Sequence, residues 1–159
     1  GRRAGIMAIN RVSQARPSDA ATVAKLLHAF NTEFDTPVPD EATLTRRWEA
    51  LLAREDVLVL LAGEVAFAFL TLRPTPYWDG PVAQLEELYV APAHRGHGTG
   101  STLIDEACAL SRSRGAQEML INVDEIDHDA RRFYERHGFS NYELGQNYRM
   151  LCYIRELNS

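Results

Sequence analysis

Apolar residues recur at two different spacings along this chain, and the change of spacing marks out its elements. After Arg16-Pro17-Ser18-Asp19, where Ser18 or Asp19 can cap a helix, Val23, Leu26, Leu27 and Phe30 fall at helical spacing. The turn-rich stretch 31–39 ends that helix, and Asp40 opens a second in which Leu44, Trp48, Leu51 and Leu52 share a face. From Val57 onward apolarity becomes nearly continuous. Residues 57–62 and 65–72 read as two strands joined by a two-residue turn, Gly63-Glu64, and strands this apolar predict a sheet covered on both faces. The loop 73–81 carries Pro74, Pro76, Gly80 and Pro81. Residues 83–90 read as a strand with Glu86-Glu87 in its middle, ended by Pro92. A glycine-rich turn then leads into a helix with Leu103, Ile104, Ala107 and Cys108 on one stripe. The pattern closes with a strand over 119–123, a helix with Ala130, Phe133, Tyr134 and His137 on one face that Gly138 stops, and a final strand over 148–156. Helices, a hairpin, then strand–helix–strand–helix–strand predict an α/β fold with a mixed sheet and helices on both faces.

Composition narrows the function classes. A length of 159 residues fits one domain, expected over 7–159, with 1–6 as an N-terminal extension or a non-native remnant. A net charge of -5 argues against a sequence-independent grip on nucleic acid. No apolar run approaches the roughly 20 residues a membrane helix needs. Cys108 and Cys152 stand alone, with no metal or disulfide spacing, and Cys108 reads as a structural thiol. His94 and His97, three apart in a loop, make a poor metal site, so no metal is expected. A soluble, cytoplasmic protein without nucleic-acid or membrane partners follows as the expectation. Lys25 is the single lysine among 17 basic residues, which fits a GC-rich bacterial source.

The chemistry concentrates at Arg95-Gly96-His97-Gly98-Thr99-Gly100. A strand that passes through glycines into a helix N-terminus can present backbone N–H groups to a phosphate. A P-loop needs Gly-Lys-Ser/Thr and the only lysine is elsewhere. The dinucleotide pattern G-x-G-x-x-G fails at Ser101 from Gly96, and at Leu103 from Gly98. What remains is Arg-x-x-Gly-x-Gly. With Leu85-Glu86-Glu87-Leu88-Tyr89-Val90 and Pro92 before it, and Ala130, Phe133-Tyr134-Glu135 and Gly138-Phe139 after it, the chain resembles the GNAT superfamily of N-acetyltransferases from Arg16-Pro17 to about Tyr153.

The resemblance implies a mostly antiparallel mixed sheet and acetyl-CoA as co-substrate, with its pyrophosphate cradled by Arg95, Gly96, His97, Gly98, Thr99, Gly100 and Ser101. It places Leu88, Tyr89 and Val90 beside the thioester, where backbone N–H groups would meet the oxyanion. Where many members carry Asn, this chain has Asp127, which can cap a helix but cannot donate as an amide does. Tyr134 is implied beside the CoA sulfur as general acid. An alkylammonium of pKa about 10.4 must lose a proton before it attacks, and Glu86 and Glu87 are the candidate bases. Neighbours on a strand face opposite sides, so one of the two should point at the reacting centre. Glu86 is favoured for its parity with Leu88 and Val90, and a bulge would reverse the choice. Acceptor candidates are Phe30, Glu33 and Phe34 from the first helix with Tyr77 and Trp78 from the loop, aromatics and a carboxylate that suit a small-molecule amine. A non-catalytic acyl-CoA sensor and acetylation of a protein amine are the alternatives. The terminal strand, if an exposed edge, would invite pairing into a homodimer.

Overall fold

The computed structural model describes residues 11–158; the expected extension at 1–6 lies outside the described residues. The chain divides into two compact units, one ending at Ile121 and one beginning at Asn122.

In the first unit, five strands lie in the order β1-β2-β3-β4-β5: β1 Val12–Gln14, β2 Val57–Ala62, β3 Ala66–Arg73, β4 Val82–Val90 and β5 Met119–Ile121. The first three pairings are antiparallel, and β4 and β5 run parallel. Helices α1 (Ala20–Glu33), α2 (Glu41–Leu52) and α3 (Thr99–Ser113) complete the unit. Asp40 caps α2 by accepting from the Thr43 N–H at 2.7 Å. Asp19 instead closes a short 3-10 turn ahead of α1, accepting from the Arg16 N–H at 2.8 Å.

Alternation along the strands sorts the core into two layers. Val57, Val59, Leu61, Phe67 and Tyr89 pack with Val23, Leu26, Leu44 and Trp48 of α1 and α2. The intervening residues Leu58, Leu60, Ala68 and Leu70 are buried on the other face, where α3 brings Leu103, Ile104 and Ala107. Each large apolar side chain so covered contributes about 1.5–3 kcal/mol relative to exposure. The mixed sheet with helices on both faces is the architecture the apolar pattern implied. Gly80 sets the entry to β4: a Cβ there would lie 2.1 Å from the Gly115 carbonyl oxygen, so only glycine lets the loop before β4 pass the end of α3.

Two expectations need correction, and one strand adds to the pattern. β1 forms from three residues of mixed polarity, which carry no usable period. The hairpin turn spans 63–65 rather than two residues, since Ala62 pairs with Ala66. Residues 148–156 form no strand: the segment contributes one isolated bridge, Tyr142 to Arg149, and Met150, Leu151, Tyr153 and Ile154 are exposed. Its β-prone composition finds no ladder among the described residues, so the homodimer expectation loses the edge strand it rested on. The second unit is built on α4, His128–Arg136, whose N-cap Asp127 accepts from the Ala130 N–H at 3.2 Å.

Candidate active site

The two halves of β4 are joined by an irregularity that decides where its carboxylates go. Leu85 pairs with Leu70 and Glu87 with Phe69, so the register shifts and Glu86 is the extra residue of a β-bulge. The shift reverses parity. Leu85 lies on the α3 face with Leu70, whereas Glu87 and Tyr89 lie opposite Phe69 and Phe67 on the face covered by α1 and α2. Glu86 reaches the same face, accepting from the Thr71 hydroxyl at 2.7 Å, and Thr71 sits opposite Val57. Both carboxylates therefore address one face, where a regular strand would have separated them.

Their environments differ. Glu86 is exposed. Glu87 is half-buried, and burial pushes its carboxyl above the ordinary value, with the Glu86 charge adding to the push. The bulge also re-aims the backbone. The Ala83 N–H donates to Glu118 on the β5 side and the Ala91 N–H to Val65 on the β3 side. In the ladder between them, the peptide groups of Leu88 and Val90 point away from β3. There β5 has already ended, its pairing stopping at Leu85 with Ile121.

Downstream, Gly96 and Gly98 both adopt left-handed backbone at φ 82° and 81°, and Gly98 is the N-cap of α3. A Cβ added at either would meet nothing within 4 Å, so the turn presents an open surface next to a helix N-terminus. The first N–H groups of a helix and its partial positive charge suit an anion there. Thr99 is buried at the start of α3, while His97 and Gly100 lie in the same turn, with Ser101 one residue on.

Arg95 is engaged. Its Nη1 lies 2.8 Å from Glu33 Oε2, its Nη2 donates to Glu33 Oε1 at 2.9 Å, and its Nε donates to the Val90 carbonyl at 2.9 Å. The Tyr89 hydroxyl also donates to Glu33 Oε1, at 3.2 Å. Hydrogen bonding from Arg95 is the largest influence on Glu33 and holds its carboxyl below the ordinary value. Tyr89 stacks on Phe30 with ring centroids 4.9 Å apart, and Phe34 meets Phe30 edge-on at 5.4 Å.

Of the loop candidates, Tyr77 is exposed and Trp78 donates its Nε1–H to the Pro81 carbonyl at 3.0 Å. Phe30, Glu33 and Tyr89 thus come together, while Tyr77 and Trp78 show no contact with that group. Cys108 is part-buried, and burial raises its thiol above the ordinary value, the opposite of an activated nucleophile. Within the second unit, Tyr134 packs edge-on against Phe133 at 5.3 Å and Phe139 at 5.6 Å. Thr71 is a site residue that the sequence analysis does not single out; a lone hydroxyl in the apolar run 66–72 is the signal that marks it.

No group of three metal-ligating side chains occurs among the described residues. No helix among them is long and apolar enough to cross a membrane.

Known proteins share this fold and stretches of this sequence. The model of the acetyltransferase (GNAT) family matches residues 23–139. A crystal structure from Arthrobacter sp. FB24, provisionally named an acetyltransferase, superposes with a TM-score of 0.87 at 53% identity, covering 92% of this chain and 96% of that one. The aminoglycoside N(6')-acetyltransferase type 1 of Stenotrophomonas maltophilia is 32% identical over 148 residues, 87% of this chain and 92% of its own length. A mycothiol acetyltransferase from Thermobispora bispora is 37% identical over 71 residues, 45% of this chain, and the match spans only 24% of that longer protein. With the family model covering most of its length, this chain belongs to the GNAT family of acetyltransferases.

Proposed function

We propose that the protein moves the acetyl group of acetyl-CoA to a primary amine of a small molecule by direct attack in a ternary complex. The observation that carries this reading is the continuity of β4, its bulge and the glycine turn. One strand presents two carboxylates, then an open edge of peptide groups, then an anion cradle at the start of α3. Acetyl-CoA, when bound, supplies a thioester carbonyl as electrophile.

In this reading the chain's own groups divide the work. The turn 96–101 holds the pyrophosphate through backbone N–H groups. Glu87 takes a proton from the acceptor ammonium, directly or through water. Its raised affinity for protons brings it closer to the operating pH than an ordinary carboxylate, which favours general-base transfer. Peptide N–H groups of Leu88 and Val90 face the negative charge that develops on the carbonyl oxygen. Tyr134 keeps the general-acid role that the family resemblance gives it, and Asp127 serves as helix cap rather than as a cofactor ligand. Glu86 assists through its charge on Glu87. Phe30 and Phe34 offer an aromatic wall for the body of the acceptor. The similarity to an aminoglycoside acetyltransferase supports a polyamine-like or aminoglycoside-like acceptor.

The test is release of free thiol from acetyl-CoA with a panel of amines, polyamines, amino acids and aminoglycosides, with thermal shift by CoA alongside. Thiol release with a small amine is the expected result. Stabilisation by CoA with turnover only on peptide amines would move the acceptor class. Absence of any CoA stabilisation would overturn the reading of the glycine turn.

A further inference from the structure

One polar cluster of the first unit joins two segments that the proposed chemistry uses for different tasks. Glu33 is the last residue of α1, and Arg95 is the residue immediately before Gly96. Their contact is a two-pronged pairing of guanidinium and carboxylate, 2.8 and 2.9 Å. The third guanidinium nitrogen, Nε, closes on the Val90 carbonyl at 2.9 Å, and the guanidinium carbon lies 5.7 Å from the centre of the Tyr89 ring. Tyr89 completes the cluster through its hydroxyl to Glu33 and its ring on Phe30 of α1. A planar fork is suited to such a site, whereas the point charge of a lysine is not. Because all three nitrogens of Arg95 already have partners, the side chain is held by the protein itself. Its backbone is the last before the chain enters the left-handed conformation of Gly96.

We propose that Glu33 and Arg95 form a strut between the end of α1 and the start of the glycine turn. Arg95 is a positioning residue that sets the turn's N–H groups for the anionic co-substrate without touching phosphate. Glu33 serves the strut and does not bind the acceptor amine. The inference rests on the reading of the turn as an acyl-CoA cradle, but the strut itself can be tested without any ligand.

The experiment measures CoA affinity, acceptor KM and ligand-free hydrogen exchange of amides 96–101 in the parent, Glu33→Gln, Arg95→Gln and the double variant. Each single variant should weaken CoA binding by roughly five- to tenfold and speed exchange in the turn, while acceptor KM stays unchanged. The double variant should be no worse than either single one, because the two residues act as one unit. Arg95→Lys should fail to restore affinity. Circular dichroism on each variant confirms that it is folded, and Tyr89→Phe, which removes one hydroxyl from the cluster, should give a smaller change in the same direction. Loss of CoA affinity in Arg95→Gln but not in Glu33→Gln would overturn the strut and make Arg95 a phosphate ligand. A raised acceptor KM in Glu33→Gln, with exchange unchanged, would overturn it by returning Glu33 to the acceptor site. If the parent binds no CoA, the functional reading fails, and the exchange rates still decide the strut.

Discussion

The two halves of β4 share a backbone and little else. From Ala83 to Leu85 the strand has partners on both sides, and its apolar side chains Ala83 and Leu85 are almost completely buried. From Glu86 to Val90 it keeps β3 but loses β5, exposes or half-buries most of its side chains and carries two carboxylates. One extra residue separates the halves. The first half is held by packing on both faces. The second lies past the end of β5, and the proposed chemistry draws on its side chains and peptide groups. Substitutions in the two halves should therefore fail in different ways, the first through stability and the second through rate.

The largest effect expected on that contrast is at Glu87. Replacement by Gln should lower kcat by about a hundred- to ten-thousandfold, the range for loss of a general base. Thermal stability should hold or rise, because a carboxylate that resists ionising in place costs the fold at neutral pH. Steady-state kinetics and a melting curve on one sample decide it, and a rate within threefold of the parent would remove Glu87 from the mechanism. Leu85→Ala should do the reverse. With its side chain 1% exposed, truncation should cost about 2–5 kcal/mol in denaturant unfolding, while kcat of the remaining folded enzyme changes little. Tyr134→Phe belongs with the rate effects. It should lower kcat by about tenfold or more with the KM for acceptor unchanged, as removal of a general acid would.

How much of this was legible beforehand follows the range over which each signal acts. Helices α1, α2 and α3 and strands β2 and β3 announce themselves by local period, because Trp48, Leu58 or Ile104 must be covered whichever way the chain turns. The glycine turn is equally local, since residues at +82° and +81° in φ are written as glycine. The bulge is not. Leu85-Glu86-Glu87-Leu88 reads equally well with or without it, and only the pairing with Phe69 and Leu70 selects the bulged register. That single shift is what brings Glu87 onto the face with Phe69 beside Glu86 and removes the parity argument that favoured Glu86. The Arg95–Glu33 pair is less legible still, because the two residues are 62 apart and each has a task of its own to suggest. The segment 148–156 fails in the opposite sense. Its local β propensity is high, yet a strand needs a partner, and propensity does not supply one.

The smallest effect separates the two carboxylates most finely. If Glu87 is the base, activity falls as pH drops through its folded pKa, and that limb lies above the range of an ordinary glutamate because burial and the Glu86 charge both oppose ionisation. Glu86→Gln removes the second cause and leaves the first. The acid limb of kcat/KM should therefore move down in pH but remain above that of an ordinary carboxylate, with the plateau rate changed by less than about threefold. A collapse of the plateau instead would make Glu86 the base and Glu87 its neighbour. Stability provides an independent check of sign. Glu87, raised in the folded state, contributes more stability as pH falls through its folded pKa, whereas Glu33, held low by Arg95, contributes stability at neutral pH that is lost as pH falls through its own. Glu87→Gln should thus remove a gain in stability on mild acidification, and Glu33→Gln should remove a loss at lower pH. Glu87 and Glu33 would then be distinguished by the direction of their pH dependence as well as by rate.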